Sequence, residues 1–236
     1  RQRAEDFDPT GEFDLVFFNN VLSELAVPGE VAARYLESVA EDGSLVLTSP
    51  ADRETSLTLR SVERGLESRG ATVYGPTVRL WPNEAPTDDC WSFDRRPDID
   101  PPSVQTALAE GAEDPDAVCK TSVQYSYAVL RRDNRRRYDL TLDRSNVAML
   151  AETESHVGSR LDLVVAKLSR DLSGDGHPLF RVSDGSESLS HFAVLVKETA
   201  LNEALLQADY GDLLQIEGAL ALHNADEGAY NLVVDE

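Results

Sequence analysis

The spacing of apolar residues changes near residue 138, and that change constrains the fold more than any other feature of the chain. Before it, strand-like runs alternate with helix-like ones. Residues 13–19, Phe-Asp-Leu-Val-Phe-Phe-Asn, form the near-continuous apolar run of a strand buried on both faces. Val31, Tyr35, Leu36 and Val39 recur at helical spacing, with Pro28 suited to the helix start and Gly43 to its end. Ser44–Thr48 reads as a second buried strand. Leu57, Leu59, Val62 and Leu66 mark a second helix that Gly70 stops, and Ala71–Tyr74 begins a third strand. Strand, helix, strand, helix, strand predicts a parallel sheet with right-handed crossovers.

Residues 75–122 are rich in proline and acidic side chains, with a short helix expected near Ser103–Glu110. A stretch of that length reads as a long irregular insertion, of the kind that is functional or disordered. Val123–Leu130 returns to strand character, and Arg131–Arg137 is a basic run in an otherwise acidic chain. Beyond residue 138 the pattern is strands at Leu161–Leu168, Pro178–Val182 and Ser190–Val196, a helix at Leu201–Ala208, then strands at Leu213–Leu222 and Tyr230–Val234. Three strands, a helix and two strands is the order of a five-stranded OB-fold barrel. The expected organisation is therefore an α/β domain over 1–137 carrying an insertion at about 75–122, a linker over 138–160, and an all-β barrel over 161–236.

The chain holds 43 acidic against 22 basic residues, a net charge of -21, and three of its basic residues are lysines. Such a surface suits a cytosol of molar salt, where the Debye length shrinks to about 3 Å and self-repulsion is screened. The pattern resembles proteins of extreme halophiles. Acidity does not exclude a nucleic-acid partner there; it removes only the usual electrostatic argument for one. No run of 18 apolar residues occurs and no leader precedes the first strand, so no membrane span is expected and the reading is cytoplasmic. Cys90 and Cys119 can form neither a disulfide scaffold nor a CxxC metal motif, so no metal is assigned.

Phe13-Asp14-Leu15-Val16 leading into Val21-Leu22-Ser23-Glu24-Leu25, Gly43-Ser44-Leu45-Val46-Leu47 leading into Ser49-Pro50, Cys90-Trp91-Ser92-Phe93, and Tyr125–Arg131 together resemble the C-terminal half of a class I methyltransferase, a Rossmann-like sheet. More narrowly, they resemble the methyltransferase-like family associated with the small ribosomal subunit, here of a haloarchaeal type. The resemblance spans about residues 10–133, and the order and spacing of its short motifs carry it. It implies S-adenosylmethionine as the cofactor of the full-length protein and small-subunit ribosomal RNA as partner. The glycine-rich cofactor loop and the acidic ribose-binding residue of that fold are missing, and both would lie before Arg1. The site in this sequence is thus incomplete. The insertion of many members carries several cysteines that can hold an iron–sulfur cluster; only Cys90 stands in the matching region here, which does not support one.

Asn19 and Asn20 end the first strand, where open α/β sheets bind ligands, and with Ser23 and Glu24 they are the candidate cofactor contacts. The alternative for the asparagines is a cap or turn role. Arg79, Trp81, Trp91, Arg95 and Arg96 in the insertion suit stacking on unpaired bases and contact with phosphate, or else packing of the insertion on the sheet. Arg131, Arg132, Arg135, Arg136 and Arg137 form the densest basic cluster, an RNA contact or a solvated linker. Lys167, Arg170 and Arg181 are candidate RNA contacts of the barrel, and Phe180 and Phe192 either join them or fill the core. No residue stands out as a general base, so no catalytic residue is assigned. Two function classes remain: a methyltransferase-like ribosome factor, or a non-catalytic binding scaffold on the same folds. A single-stranded DNA-binding protein dominated by its barrel is a third.

Overall fold

The computed structural model describes residues 2–235. The first half is a mixed sheet whose strands are β1 (Phe13–Asn19), β2 (Val39–Pro50), β3 (Thr72–Gly75), β4 (Asp94–Arg96) and β5 (Val123–Arg131). Strands β1 and β2 lie side by side in one direction, Phe17 opposite Val46 and Asn19 opposite Thr48. The expected all-parallel order does not hold further on. Strand β5 returns from the insertion and runs antiparallel between β2 and β3, giving the order β1-β2-β5-β3, with β4 paired to the start of β5.

Helix α1 (Pro28–Glu37) has Pro28 at its first turn, where a missing N–H costs nothing. Helix α2 (Arg53–Glu67) is capped by Asp52, whose carboxylate accepts from the Thr55 N–H at 3.0 Å. Val31, Ala32 and Leu36 of α1 and Leu59, Val62 and Leu66 of α2 share one core with Phe18, Leu45, Leu47, Ala128 and Leu130. Both helices therefore cover the same face. The expected two-sided burial of the first strand fails for that reason: Leu15 and Phe17, on the other face, stay 61% and 55% exposed. Gly43 does not end α1 but lies inside β2. A Cβ there would stand 2.9 Å from the carbonyl oxygens of Phe13 and Asp14, where the β1–β2 register shifts.

The second half is a closed five-stranded barrel. Its strands are β6 (Arg160–Lys167), β7 (Leu179–Ser183), β8 (His191–Leu195), β9 (Leu213–Asn224) and β10 (Ala229–Val234), closing in the order β10-β8-β7-β6-β9. The β8–β10 pair is parallel and the rest are antiparallel. Short helices α3 (Ser103–Ala109) and α4 (Pro115–Val118) lie in the insertion, and α5 (Glu203–Gln207) sits between β8 and β9, where a helix is expected. Alternate residues Leu161, Leu163 and Val165 of β6 join Phe180, Val182, Ala193, Leu195, Ile216 and Leu232 inside the barrel.

The segment expected as a linker packs into the barrel core and into a cluster between the two halves. Leu150, in a 3-10 turn over Leu150–His156, plugs the barrel. Met149 joins Val78, Leu80, Trp81, Cys90, Ala166 and Leu168 in a third cluster shared by the two halves. That seam is tight. The insertion runs along the β7–β8 connection, Leu80 N–H donating to Asp184 O at 3.2 Å and Thr87 N–H to Glu187 O at 3.0 Å. Gly185, with φ +83°, lets the backbones meet there, since a Cβ would stand 2.1 Å from Val78 O.

Candidate functional site

At the carboxyl end of β1, Asn19 and Asn20 are exposed. The Asn19 Oδ1 accepts from the Thr48 hydroxyl of β2 at 2.9 Å, which orients its amide across the strand ends. Asn20 turns the chain at φ +53°, a conformation that asparagine tolerates better than most residues. Ser23 and Glu24, in a 3-10 turn over Leu22–Glu24, are exposed as well. The four candidate cofactor residues therefore share one end of the sheet and its first turn. They offer amides, a hydroxyl and one carboxylate. Among the described residues no glycine-rich loop stands at this strand end to present backbone N–H groups to a ligand carboxylate. These groups do not make up a glycine-rich cofactor cradle.

The structure divides the insertion residues. Trp81 is buried, its indole Nε1–H donating to Asp184 Oδ2 at 2.7 Å. Arg79 is buried too, forked on Glu67 at 2.8 and 2.7 Å. Both are buried, so the RNA contacts expected of them are corrected: Arg79 pairs the insertion with α2, and Trp81 packs it against the barrel. Arg95 and Arg96 are exposed on β4, and Arg95 Nη2 reaches Ser122 Oγ at 3.4 Å. Cys90 is buried in the seam, while Cys119 is half-buried elsewhere.

The basic run lies at the surface, with Arg132, Arg135, Arg136 and Arg137 exposed, and four of its five side chains also bond within the molecule. Arg131 pairs with Asp133, whose carboxyl it pulls down to about 2, and also donates to Asp42 O. Arg132 Nη1 donates to Glu37 O and Val39 O, both at 2.9 Å, closing the last turn of α1. Arg136 donates to Arg79 O at 3.2 Å and Arg137 to Asp212 at 3.1 Å. Arg135 uses only its backbone N–H, bonded to Asp133. Four of the five expected contacts thus tie strand to helix and sheet to barrel, because a guanidinium satisfies orphan carbonyls at chain crossings better than a short side chain can.

On the barrel, Lys167 is buried over the Phe180 ring and donates from Nζ to Leu205 O at 2.9 Å and Ala208 O at 2.7 Å, so it ends α5. Burial lowers its affinity for a proton. Arg181 is buried in an ion pair with Asp88 of the insertion. Both are corrected to structural roles; Arg170 remains exposed. Phe180 fills the core and Phe192 is half-buried. In the β7–β8 connection, Asp184 and Glu187 are held above the usual carboxylate range by burial. They are offset by hydrogen bonds from Trp81, Ser183 and Ser186 and from the N–H groups of Leu150, Gly185 and Ser186. The signal in the sequence was Ser183-Asp184-Gly185-Ser186-Glu187, which reads as a hairpin turn until the insertion is laid against it.

One feature of the sheet end escaped the sequence. A cleft of about 830 Å³ lies between the end of β2, at Ala51 and Asp52, and the residues leading into β5, among them Lys120, Ser122, Val123 and Gln124. Trp91 is exposed, and its indole Nε1–H donates to Ala51 O at 3.0 Å. These residues are separated by up to 73 positions and show no common spacing, so only the fold brings them together.

Residues 151–236 match a family model described as the C-terminal domain of a domain of unknown function, DUF8157. The matched stretch begins in the 3-10 turn that plugs the barrel and contains all five barrel strands. No curated protein matches the chain.

Proposed function

We propose that this chain is part of a methyltransferase-like factor that binds RNA of the small ribosomal subunit. The observation that carries the reading is the sheet: parallel β1 and β2, then β5 reversed between β2 and β3. A reversed strand in that position distinguishes a methyltransferase-type Rossmann-like sheet from a purely parallel one, and the candidate residues Asn19 and Asn20 stand at its carboxyl end. The free edge of β1 and its exposed Leu15 and Phe17 support the same reading, since strands of such sheets are ordinarily covered on both faces. S-adenosylmethionine supplies an activated methyl group. Here Asn19, Asn20 and Ser23 would hold one edge of it through neutral hydrogen bonds. The following OB-type barrel would act as the second body of an RNA-assembly factor, held to the sheet by the buried seam.

A second reading, a non-catalytic scaffold, is favoured by one observation. Among the described residues the strand ends present amides and hydroxyls but no buried, oriented base. Co-sedimentation with small ribosomal subunits in molar potassium chloride tests what both readings share. Stoichiometric pelleting of the chain with the particle is expected, and retention of all of it in the supernatant ends both. Calorimetric titration with S-adenosylmethionine then bears on the cofactor: the 236-residue chain alone is expected to show no micromolar binding, because the glycine cradle is not in it.

A further inference from the structure

The residues leading into β5 already follow a strand's alternation. Arg95 lies opposite Gln124 and Arg96 opposite Val123, and beyond them Ile99 N–H donates to Thr121 O at 2.9 Å. Ser126, Ala128 and Leu130 of β5 are buried, and Ser126 bonds Ser56 of α2 at 2.7 Å, so the even-numbered residues of this stretch share the α2 side. Lys120, Ser122 and Gln124 are three such residues, and all three line the cleft that Ala51 and Asp52 close. Arg95, paired with Gln124, lays its guanidinium along the strand towards Lys120 and donates from Nη2 to Ser122 Oγ at 3.4 Å. Alternate residues of a strand are about 6–7 Å apart, so an ammonium at position 120 and a guanidinium at Ser122 flank a gap that one phosphate bridges. Both cations are exposed; among the described residues Lys120 has no side-chain partner and the Arg95 side chain has Ser122 alone. The carboxylates around them are engaged elsewhere. Asp52 accepts from the Thr55 N–H at 3.0 Å and its hydroxyl at 2.6 Å. Asp94 accepts from the Tyr125 hydroxyl at 3.1 Å and the Arg95 backbone N–H at 2.7 Å, and Asp89 pairs with Arg53 at 3.4 Å.

We propose that this cleft receives a backbone phosphate of single-stranded RNA, held jointly by Lys120 and Arg95, with the Ser122 hydroxyl and the Gln124 amide as neutral donors beside them. The inference rests on the RNA-binding reading above and adds the place and the contact mode. The guanidinium supplies a fork and the ammonium a point charge, a pair suited to phosphate oxygens and indifferent to base identity. At about 830 Å³ the cleft exceeds one phosphate, which suits a strand that runs on past it.

The 236-residue chain is titrated against a short labelled oligouridylate, with affinity read by anisotropy across a potassium chloride series, and separately against inorganic phosphate by calorimetry. Lys120→Gln and Arg95→Gln should each weaken oligonucleotide binding by about fivefold at fixed salt. Because the two share one phosphate, the double variant should lose less than the product of the single effects. Its salt slope should fall by about 0.7, the value for one phosphate of a single strand. A fall of about 1.4 would assign the residues to two separate phosphates and overturn the joint site. Arg69→Gln removes an exposed arginine beyond the other end of α2 and should leave the affinity unchanged. A loss equal to that of Lys120→Gln would make the effect one of bulk charge and end the assignment. The substituted side chains are exposed, and equal melting temperatures identify folded variants. If the wild-type chain binds the oligonucleotide and neither Lys120→Gln nor Arg95→Gln changes the affinity, the cleft is not the site, although RNA binding itself stands. If the wild-type chain binds no oligonucleotide at any salt, the RNA reading fails and this assignment with it. Inorganic phosphate bound by the wild type and not by the double variant, without oligonucleotide binding, overturns RNA as the source and leaves a free phosphate.

Discussion

Trp81 and Asp184 are joined by a 2.7 Å hydrogen bond across 103 residues of chain, and that bond stitches the insertion of the sheet domain to the β7–β8 connection of the barrel. The same Asp184 oxygen accepts from Leu150 N–H at 2.9 Å, so three segments converge on one buried carboxylate.

Replacing Trp81 with Phe keeps most of the apolar packing and removes the donor. The Asp184 oxygen then loses one of its two partners in a site where burial already disfavours its charge. We expect a stability loss of about 2 kcal/mol, the cost of a buried charge-assisted bond. Urea unfolding followed by Trp91 fluorescence measures it. A midpoint equal to that of the wild type would show that the seam does not depend on this bond.

His191 is buried, its ring bonded to Thr153 Oγ1 and Leu189 O at 2.9 Å and stacked on Tyr230. Burial pushes it down to about 4 from 6.5. The unfolded chain therefore binds this proton at higher pH than the native one, so the contribution of His191 is complete above about 6.5 and is lost as pH falls towards 4. The full effect is about 3 kcal/mol. Asp184 and Glu187 work the other way, because their raised values make the native state the better proton binder on acidification. Comparing stability at pH 7 and pH 4.5 for wild type and His191→Gln isolates the histidine. The variant should lose less on acidification, and equal slopes would remove His191 from the account.

Within the basic run, Arg132 and Arg135 make opposite predictions. Arg132→Ala opens the last turn of α1 and frees two carbonyls, for a loss of about 1 kcal/mol. Arg135→Ala touches only solvent and should change stability by less than about 0.5 kcal/mol. Thermal melts in matched salt decide this. Equal effects would mean that the run acts as a diffuse charge and not through directed bonds.

The barrel was the most legible part of the chain. Its strands alternate, as Leu161, Leu163 and Val165 do, and its turns carry Gly174, Gly185 and Gly228, so each element announced itself locally. The sheet was legible strand by strand but not in order. Nothing in Val123–Leu130 says that it runs antiparallel between β2 and β3; that depends on where a long insertion returns the chain. The grouping of Asn19, Asn20, Ser23 and Glu24 at one sheet end was legible, because a strand end and the turn after it position them directly. For arginines the sequence could supply the charge and not its destination. Arg79, Arg132 and Arg181 carry the side chains that phosphate recognition uses, and here carboxylates and orphan carbonyls from distant segments claim them.

The amino-acid order by itself determined the local periods, and with them the elements, the change of architecture near residue 138 and the acidic surface, because these depend on neighbours within a turn or two. The tertiary structure alone decided which face of β1 is covered, that the insertion seals against the barrel at Asp184, and that Ala51 and Asp52 line one cleft with Lys120, Ser122 and Gln124. Those outcomes depend on close approach between segments dozens of residues apart. Burial and hydrogen-bond geometry select that approach, and no short window of sequence contains it.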